Sequence, residues 1–385
     1  MSRKLVVLGG GASGLAAAIT AGRLGDKVTV IERNERIGKK ILVTGNGRCN
    51  FGNLAINNMC YKNDKFVSDV LLRSKEGANK LLYDIGLISY ADSEGRLYPI
   101  SETATSVLDC LRFECERLNI NFILGQAAET IYKRNDCIAT TLSNGEIITA
   151  DRVIIAIGGK AQSTIYNLDK LVENRVLIPF HPALTCIKVN PTTKLLTGLR
   201  VKCDVSLRKD GKLVHTESGE VQFKENALSG IVVMNMSSII SRDFDNLKKY
   251  TISLDLMPTI SEDDLSPLFK ERYNNFGSQH LMTGIYHNKI ADELKQRAID
   301  YGKNDIDGLC HVIKHFDYDV LGLGSFEQAQ VMTGGIDTKT LKTTLEFRKT
   351  EGLYACGEAI DVDGLCGGYN LHWAFSSGIV AGKSE

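Results

Sequence analysis

The chain has 385 residues, with a hydrophobic fraction of 43%, a charged fraction of 24%, and Lys+Arg and Asp+Glu both at 46. This length suits two or three domains of about 100–200 residues each, and the balanced charge provides no overall field for nucleic acid or an acidic membrane. Ten cysteines with no C-x-x-C spacing give no sign of a zinc ribbon or a thioredoxin-like pair, and read as reduced thiols of a cytoplasmic protein.

Leu5–Ile19 is apolar behind Arg3 and Lys4, as in a leader peptide, but four glycines interrupt it and a second β-like run follows at Val28–Ile31. Strand, glycine turn and helix is the better reading. Lys4–Leu8 has a buried-strand pattern, Ser13–Leu24 is Ala-rich and helical, and Lys27–Glu32 is a β-branched strand, which together make a βαβ unit. A loop dense in Gly, Lys and Asn follows at Arg36–Asn53. Ser101 is the expected cap of a helix with Val107, Leu108, Leu111, Cys115 and Leu118 on one face. Asn121–Ile131 reads as one strand, Asn144-Gly145 as a hairpin turn, and Val153–Ile157 as a buried strand ending in Gly158-Gly159.

Beyond Pro179–Pro182 the pattern changes. Val201, Cys203, Val205 and Leu207 alternate with polar residues ahead of an Asp210-Gly211 turn, predicting antiparallel strands. Residues 261 to about 316 carry helical patterns that open on Ser261 and Asp264. From about Gln328 the first pattern returns, with a strand at Leu353–Cys356 and a final helix at Asn370–Ala381 opened by Gly367-Gly368. No run reaches the roughly 20 apolar residues that cross a bilayer, so no membrane partner is expected. The expected architecture is α/β, with a discontinuous, doubly wound domain over 1–185 and 326–385, a β-rich insert over 186–260 and 316–325, and a helical insert over 261–315.

The first turn carries the chemistry. Gly9-Gly10-Gly11-Ala12-Ser13-Gly14 places G-x-G-x-x-G between strand and helix, where Gly9 and Gly11 let backbone amides approach a pyrophosphate and Gly14 lets helix and strand pack closely. Glu32 ends the second strand, where a carboxylate can accept from ribose hydroxyls. Three features favour FAD over NAD. The loop from Gly38-Lys39-Lys40 to Gly47-Arg48-Cys49-Asn50 follows the ribose acid and is rich in donors. Gly357-Glu358 follows a late strand and offers groups to a ribityl chain. Gly367-Gly368-Tyr369-Asn370 opens the last helix, whose positive end suits charge developing at flavin N1 and O2. Features at both ends of the chain fit one extended ligand.

The stretches Ile37–Asn53 (IGKKILVTGNGRCNFGN) and Gly352–Gly382 (GLYACGEAIDVDGLCGGYNLHWAFSSGIVAG) resemble the hallmark blocks of the BaiN-like family of FAD-dependent oxidoreductases. HPAL at His181–Leu184, LSG at Leu228–Gly230 and TGG at Thr333–Gly335 fall in family order. The resemblance covers essentially the whole chain and implies a glutathione-reductase-like FAD domain interrupted by a β-barrel-like and a helical subdomain. Three positions depart from the pattern: Asn46 interrupts the glycines before RCN, Lys160–Asn167 lacks a Gly-rich turn, and residue 358 is Glu where many flavoproteins carry Asp. The expected FAD shell also takes in Ala12, Ser13, Arg33, Thr44, Ala128, Gly158 and Leu371.

For catalysis, Cys49, Tyr369 and His372 are the candidate proton donors, with a packed thiol and a core histidine as the plain alternatives for the first and last. Cys110 and Cys115 have disulfide-reductase spacing but sit on a helix outside the glycine loop and read as core thiols. His311 and His315 have metal-like i, i+4 spacing with no third ligand apparent, so no metal is expected there. Gly322-Leu323-Gly324 lacks βαβ context, so NAD(P)H would enter only as a transient reductant at the flavin cleft. The resemblance implies three activities that share flavin N5 chemistry. These are reduction of a conjugated enone in a steroid or bile-acid-like molecule, reduction of uridine in ribosomal RNA, and oxidation of a small amine. The neutral charge balance and the apolar alternation of the insert favour a small hydrophobic substrate. Oligomeric state is left open.

Overall fold

The computed structural model describes residues 2–75, 77–161, 167–173, 176–302 and 304–383; most of the Lys160–Asn167 segment lies outside them. Contacts divide the chain into one unit of residues 1–181 with 331–385 and a second unit of residues 182–330.

The first unit is built on a five-stranded parallel sheet, as the strand–helix alternation predicts. Its order is Leu353–Ala355, Arg152–Ile155, Lys4–Leu8, Lys27–Glu32, Asn121–Leu124. The inner strands are short and apolar because both faces are covered: Val7, Val30, Val153, Ile154 and Ile155 are sealed from solvent, whereas the edge strand Asn121–Leu124 is partly exposed. The helix Ala12–Arg23 follows the first strand and buries Ala16, Ala17, Ala18 and Ile19. The last helix, Tyr369–Lys383, lies against it at very close range. A Cβ on Gly378 would meet the Ser13 carbonyl oxygen at 2.2 Å, and one on Gly382 the Ala17 oxygen at 2.5 Å. The two chain ends therefore form one layer, and the close approach depends on small residues in both helices.

Three details differ from the sequence expectation. The predicted strand Asn121–Ile131 is two strands, because Gly125 takes φ 70° and turns the chain. Asn121–Leu124 stays in the parallel sheet while Ala128–Arg134 opens an antiparallel meander with Cys137–Leu142 and Ile147–Ala150. Thr103, not Ser101, occupies the cap position of the helix Ala104–Arg117. The strand before Gly158 ends at Ile155, two residues earlier than predicted.

The second unit is a closed six-stranded barrel with helices. Its strand order is Ile187–Asn190, Ala227–Ser229, Lys212–Lys224, Arg200–Lys209, Tyr250–Asp255 and Phe316–Leu323. Cys203, Val205 and Leu207 are buried in the core of this unit together with Ile252, Leu254 and Phe316. The alternation noted in the sequence is thus the barrel's own core, and it lends no support to a ligand pocket. Helices Glu262–His280, Asn288–Asp300 and Ile306–Lys314 form the chain segment that connects the paired strands Tyr250–Asp255 and Phe316–Leu323. Ser261 caps the first of them, its Oγ accepting from the Asp264 amide at 3.2 Å. Among the described residues, no helix is long and apolar enough to cross a membrane.

Candidate functional site

The glycine turn is held from three sides. Gly9 takes φ 113°, and its amide donates to the Ile31 carbonyl at 2.8 Å. The Gly10 amide donates to Glu32 Oε2 at 2.8 Å, while Glu32 Oε1 accepts from the Asn34 backbone and side-chain amides at 2.9 and 2.5 Å. Glu32 is only 8% exposed, and it joins the turn to the strand end. A Cβ on Gly14 would lie 1.9 Å from the Gly9 oxygen, whereas one on Gly11 would meet nothing within 4 Å. Gly14 is thus filled by the protein and Gly11 is open. Above Gly11 stands the N-terminus of a helix with no acidic residue in its first turn, where unpaired amides and the helix dipole favour an anion.

The opening continues along the carboxyl ends of the strands. Gly158 takes φ 73° with nothing within 4 Å of its Cβ position, and Gly159 packs under Glu358, whose Cδ would lie 2.3 Å from a Cβ there. Glu358 accepts from Lys40 Nζ at 2.9 Å and from the Met332 amide at 3.0 Å. Ser13 packs against Gly357 at the head of the first helix. The last helix grips the same loop: Trp373 Nε1 donates to the Gly357 oxygen at 3.0 Å, and Ser377 Oγ accepts from the Gly357 amide at 2.8 Å.

The loop after Glu32 meets the start of the last helix. Thr44 accepts from the Cys49 amide at 3.0 Å, Gly47 takes φ 83°, and the Arg48 guanidinium stands 4.7 Å over the Tyr98 ring. With its amide turned to satisfy both sides, Asn50 donates to the Gly52 and Leu97 oxygens at 2.8 and 3.2 Å and accepts from the Gly368 amide at 3.1 Å. Tyr61 Oη donates to the Tyr369 carbonyl at 3.0 Å, and the two rings meet edge to face. Burial, reinforced by Cys60, pushes the Tyr369 hydroxyl up to about 12.

The remaining expected residues lie as follows. Asn370 braces residues 364–365, accepting from the Gly364 amide at 2.9 Å and donating to the Gly364 and Leu365 oxygens at 3.0 and 3.2 Å. Arg33 and Lys39 are exposed, Leu371 is half-buried, and Ala128 is buried at the start of the meander. Cys49 is 0% exposed, and burial pushes its thiol up to about 11. His372 lines a cavity of about 360 Å³ with Ile56, Leu71, Ser74, Lys75 and Gly77, on the helix side facing residues 64–84. Burial lowers its imidazole to about 4, so it is neutral near pH 7 and holds no proton to give as an imidazolium. The ten cysteines are thiols, Cys110 and Cys115 included.

Sequence reasoning missed the buttress around Asp361. This buried carboxylate accepts from Lys62 Nζ at 2.7 Å and from the Gly334 amide at 2.8 Å, and Lys62 also reaches Thr333 Oγ1 at 3.1 Å. The TGG segment was visible as a motif, but nothing local joins Lys62 to it. Glu262 was missed too: its carboxylate stands 3.0 Å from His311 Nδ1 and 3.2 Å from His315 Nε2. The pair read as lacking a third partner has one.

Comparison with known proteins gives a consistent family. A family model described as "HI0933-like protein Rossmann domain" matches residues 3–384. The chain is 32% identical to the 3-dehydro-bile acid delta(4,6)-reductase of Clostridium scindens, covering 99% of this chain and 98% of that one. It is 28% identical to the ribosomal RNA dihydrouridine synthase of Escherichia coli, again covering 99% and 98%. In fold it is similar to 3-ketosteroid delta1-dehydrogenase from Sterolibacterium denitrificans, with a TM-score of 0.50, 12% identity and 99% coverage of both chains.

Proposed function

We propose, from the premise that this chain belongs to the HI0933-like Rossmann family of FAD-dependent oxidoreductases, that it reduces a conjugated carbon–carbon double bond in a small hydrophobic enone or dienone. The carrying observation for the cofactor is the open run from Gly11 to Gly158, flanked by Glu32, Glu358 and the start of the last helix. These residues fit FAD. The amides at Gly11–Ser13 would hold the phosphates, Glu32 the adenosine ribose, and Glu358 with Lys40 the ribityl chain. The N-terminus of the last helix would face the flavin ring. Bound FAD would supply hydride from N5, with NAD(P)H as the transient source of electrons.

The chain's own part in reduction is to place the substrate and deliver a proton. Tyr369 is assigned the second task from its place at the start of the last helix, where the flavin ring would lie; burial makes its hydroxyl a weaker acid than an exposed tyrosine, so position and not acidity supports the assignment. Support for a hydrophobic substrate comes from the relative at 32% identity and from charge. Residues 182–330 carry 18 Lys and Arg against 20 Asp and Glu, a poor footing for RNA phosphates, whose binding rests on cationic side chains.

The test is competitive reoxidation. The flavoprotein, reduced without oxygen, is mixed with a steroidal dienone, with a uridine-containing ribosomal RNA fragment, or with air. The dienone should restore the visible absorbance of oxidised flavin fastest. A faster response to the RNA fragment would transfer the assignment to uridine reduction, as in the relative at 28% identity, and a faster response to air would point to an oxidase.

A further inference from the structure

The geometry points to a binding site for a divalent transition metal of the zinc class in the helical part of the second unit, made by Glu262, His311 and His315. Their ligand atoms all lie within 4.8 Å of one another. His311 and His315 are one turn apart at the end of the helix Ile306–Lys314, and Glu262 stands in the first turn of the helix Glu262–His280. Two imidazole nitrogens and one carboxylate are a common zinc donor set, and donors around a tetrahedral zinc at about 2.1 Å stand roughly 3.4 Å apart. The Glu262–His311 and Glu262–His315 separations of 3.0 and 3.2 Å are close to this spacing. Turning the carboxylate so that one oxygen faces both nitrogens completes the set. The fourth position falls to solvent, since the three side chains are 39–44% exposed.

The donors are held in place before any metal arrives. Ser261 fixes the start of the first helix through the Asp264 amide at 3.2 Å. Asp307 ties the two helices together, accepting from Ser266 Oγ and pairing with Lys270 Nζ at 3.0 Å. Beneath them Leu265 and Phe269 share a buried core with Cys310 and Ile313. The edge of the Tyr301 ring stands against His311, centroids 6.3 Å apart. Donors on packed helices lose little freedom on binding. The metal would replace the two N–H protons now facing Glu262 and would fasten the start of one helix to the end of the other.

The test uses the full-length FAD-loaded protein, freed of any affinity tag and of metal by chelation, and titrated calorimetrically with zinc chloride. One saturable equivalent per chain is expected, together with a rise in the thermal midpoint that a chelator reverses. Both should vanish in the double variant His311→Ala, His315→Ala and weaken in Glu262→Gln, with far-UV circular dichroism and a cooperative thermal transition reporting that each variant is folded. Zinc binding of equal stoichiometry and affinity in the double variant would assign the heat to the cysteines and overturn the site. Failure of the parent protein to bind would also overturn it.

Discussion

Lys40 Nζ and Glu358 Oε2, 318 residues apart in sequence, stand 2.9 Å apart and join the loop after the second strand to the loop after the last. The two partners differ in weight. Lys40 is 39% exposed at its side chain and makes this single contact with Glu358, whereas Glu358 also receives the Met332 amide and covers Gly159. A half-exposed ion pair contributes about 1 kcal/mol or less, while loss of the carboxylate also leaves an amide unpaired at a further cost of about 1–3 kcal/mol. Lys40→Ala should therefore weaken FAD affinity about fivefold or less, and Glu358→Ala by well over tenfold. Titration of the apoprotein with FAD measures both.

Gly11 and Gly14 separate folding from cofactor binding. Gly11 has φ −87°, which alanine adopts freely, and its Cβ would meet no protein atom within 4 Å. Gly11→Ala should leave apoprotein stability within about 0.5 kcal/mol yet lower FAD affinity by more than about tenfold, because the methyl group occupies the approach of the phosphates. Gly14→Ala drives a methyl group to 1.9 Å from the Gly9 oxygen and should cost about 3 kcal/mol or more. Urea unfolding of the apoproteins and FAD titration check the pair. Normal FAD binding by Gly11→Ala would remove the phosphate assignment.

Tyr369 and Cys49 divide the proton-donor question. Tyr369→Phe should keep bound flavin and lower the turnover number by about 10²–10⁴-fold. Cys49 is sealed from solvent, so Cys49→Ala should cost about 1 kcal/mol of stability as a small cavity and change turnover little. Steady-state rates at full flavin occupancy distinguish them. A large loss in Cys49→Ala with none in Tyr369→Phe would exchange the two assignments.

His372 should make stability acid-sensitive. Its folded value of about 4 lies below the ordinary 6.5, so between these limits the unfolded chain binds the proton more readily and acid favours unfolding. Stability should be intact above about pH 6.5 and fall as pH drops toward 4, with His372 contributing as much as about 3 kcal/mol. Urea midpoints across this interval should slope less steeply in His372→Gln than in the parent protein.

The glycine turn, the Glu32 carboxylate that receives the Gly10 amide, and the late Gly357-Glu358 were visible in the sequence because each lies in a local pattern that constrains residue type. The Asn121–Ile131 run shows where such reading fails. Its residues are β-formers throughout, and only the turn at Gly125 decides that they serve two sheets.

Sequence alone determined the parallel βαβ framework, the close-packing glycines and the interrupted order of the chain, since these follow from periodicity and backbone freedom over a few residues. Tertiary structure alone decided that Asp361 receives Lys62, that the half-buried His372 imidazole is held below its ordinary value by desolvation, that the insert's alternation fills its own core, and that Glu262 completes the histidine pair. Each of those depends on which side chains desolvate or meet across tens to hundreds of residues, and local propensity holds no record of that distance.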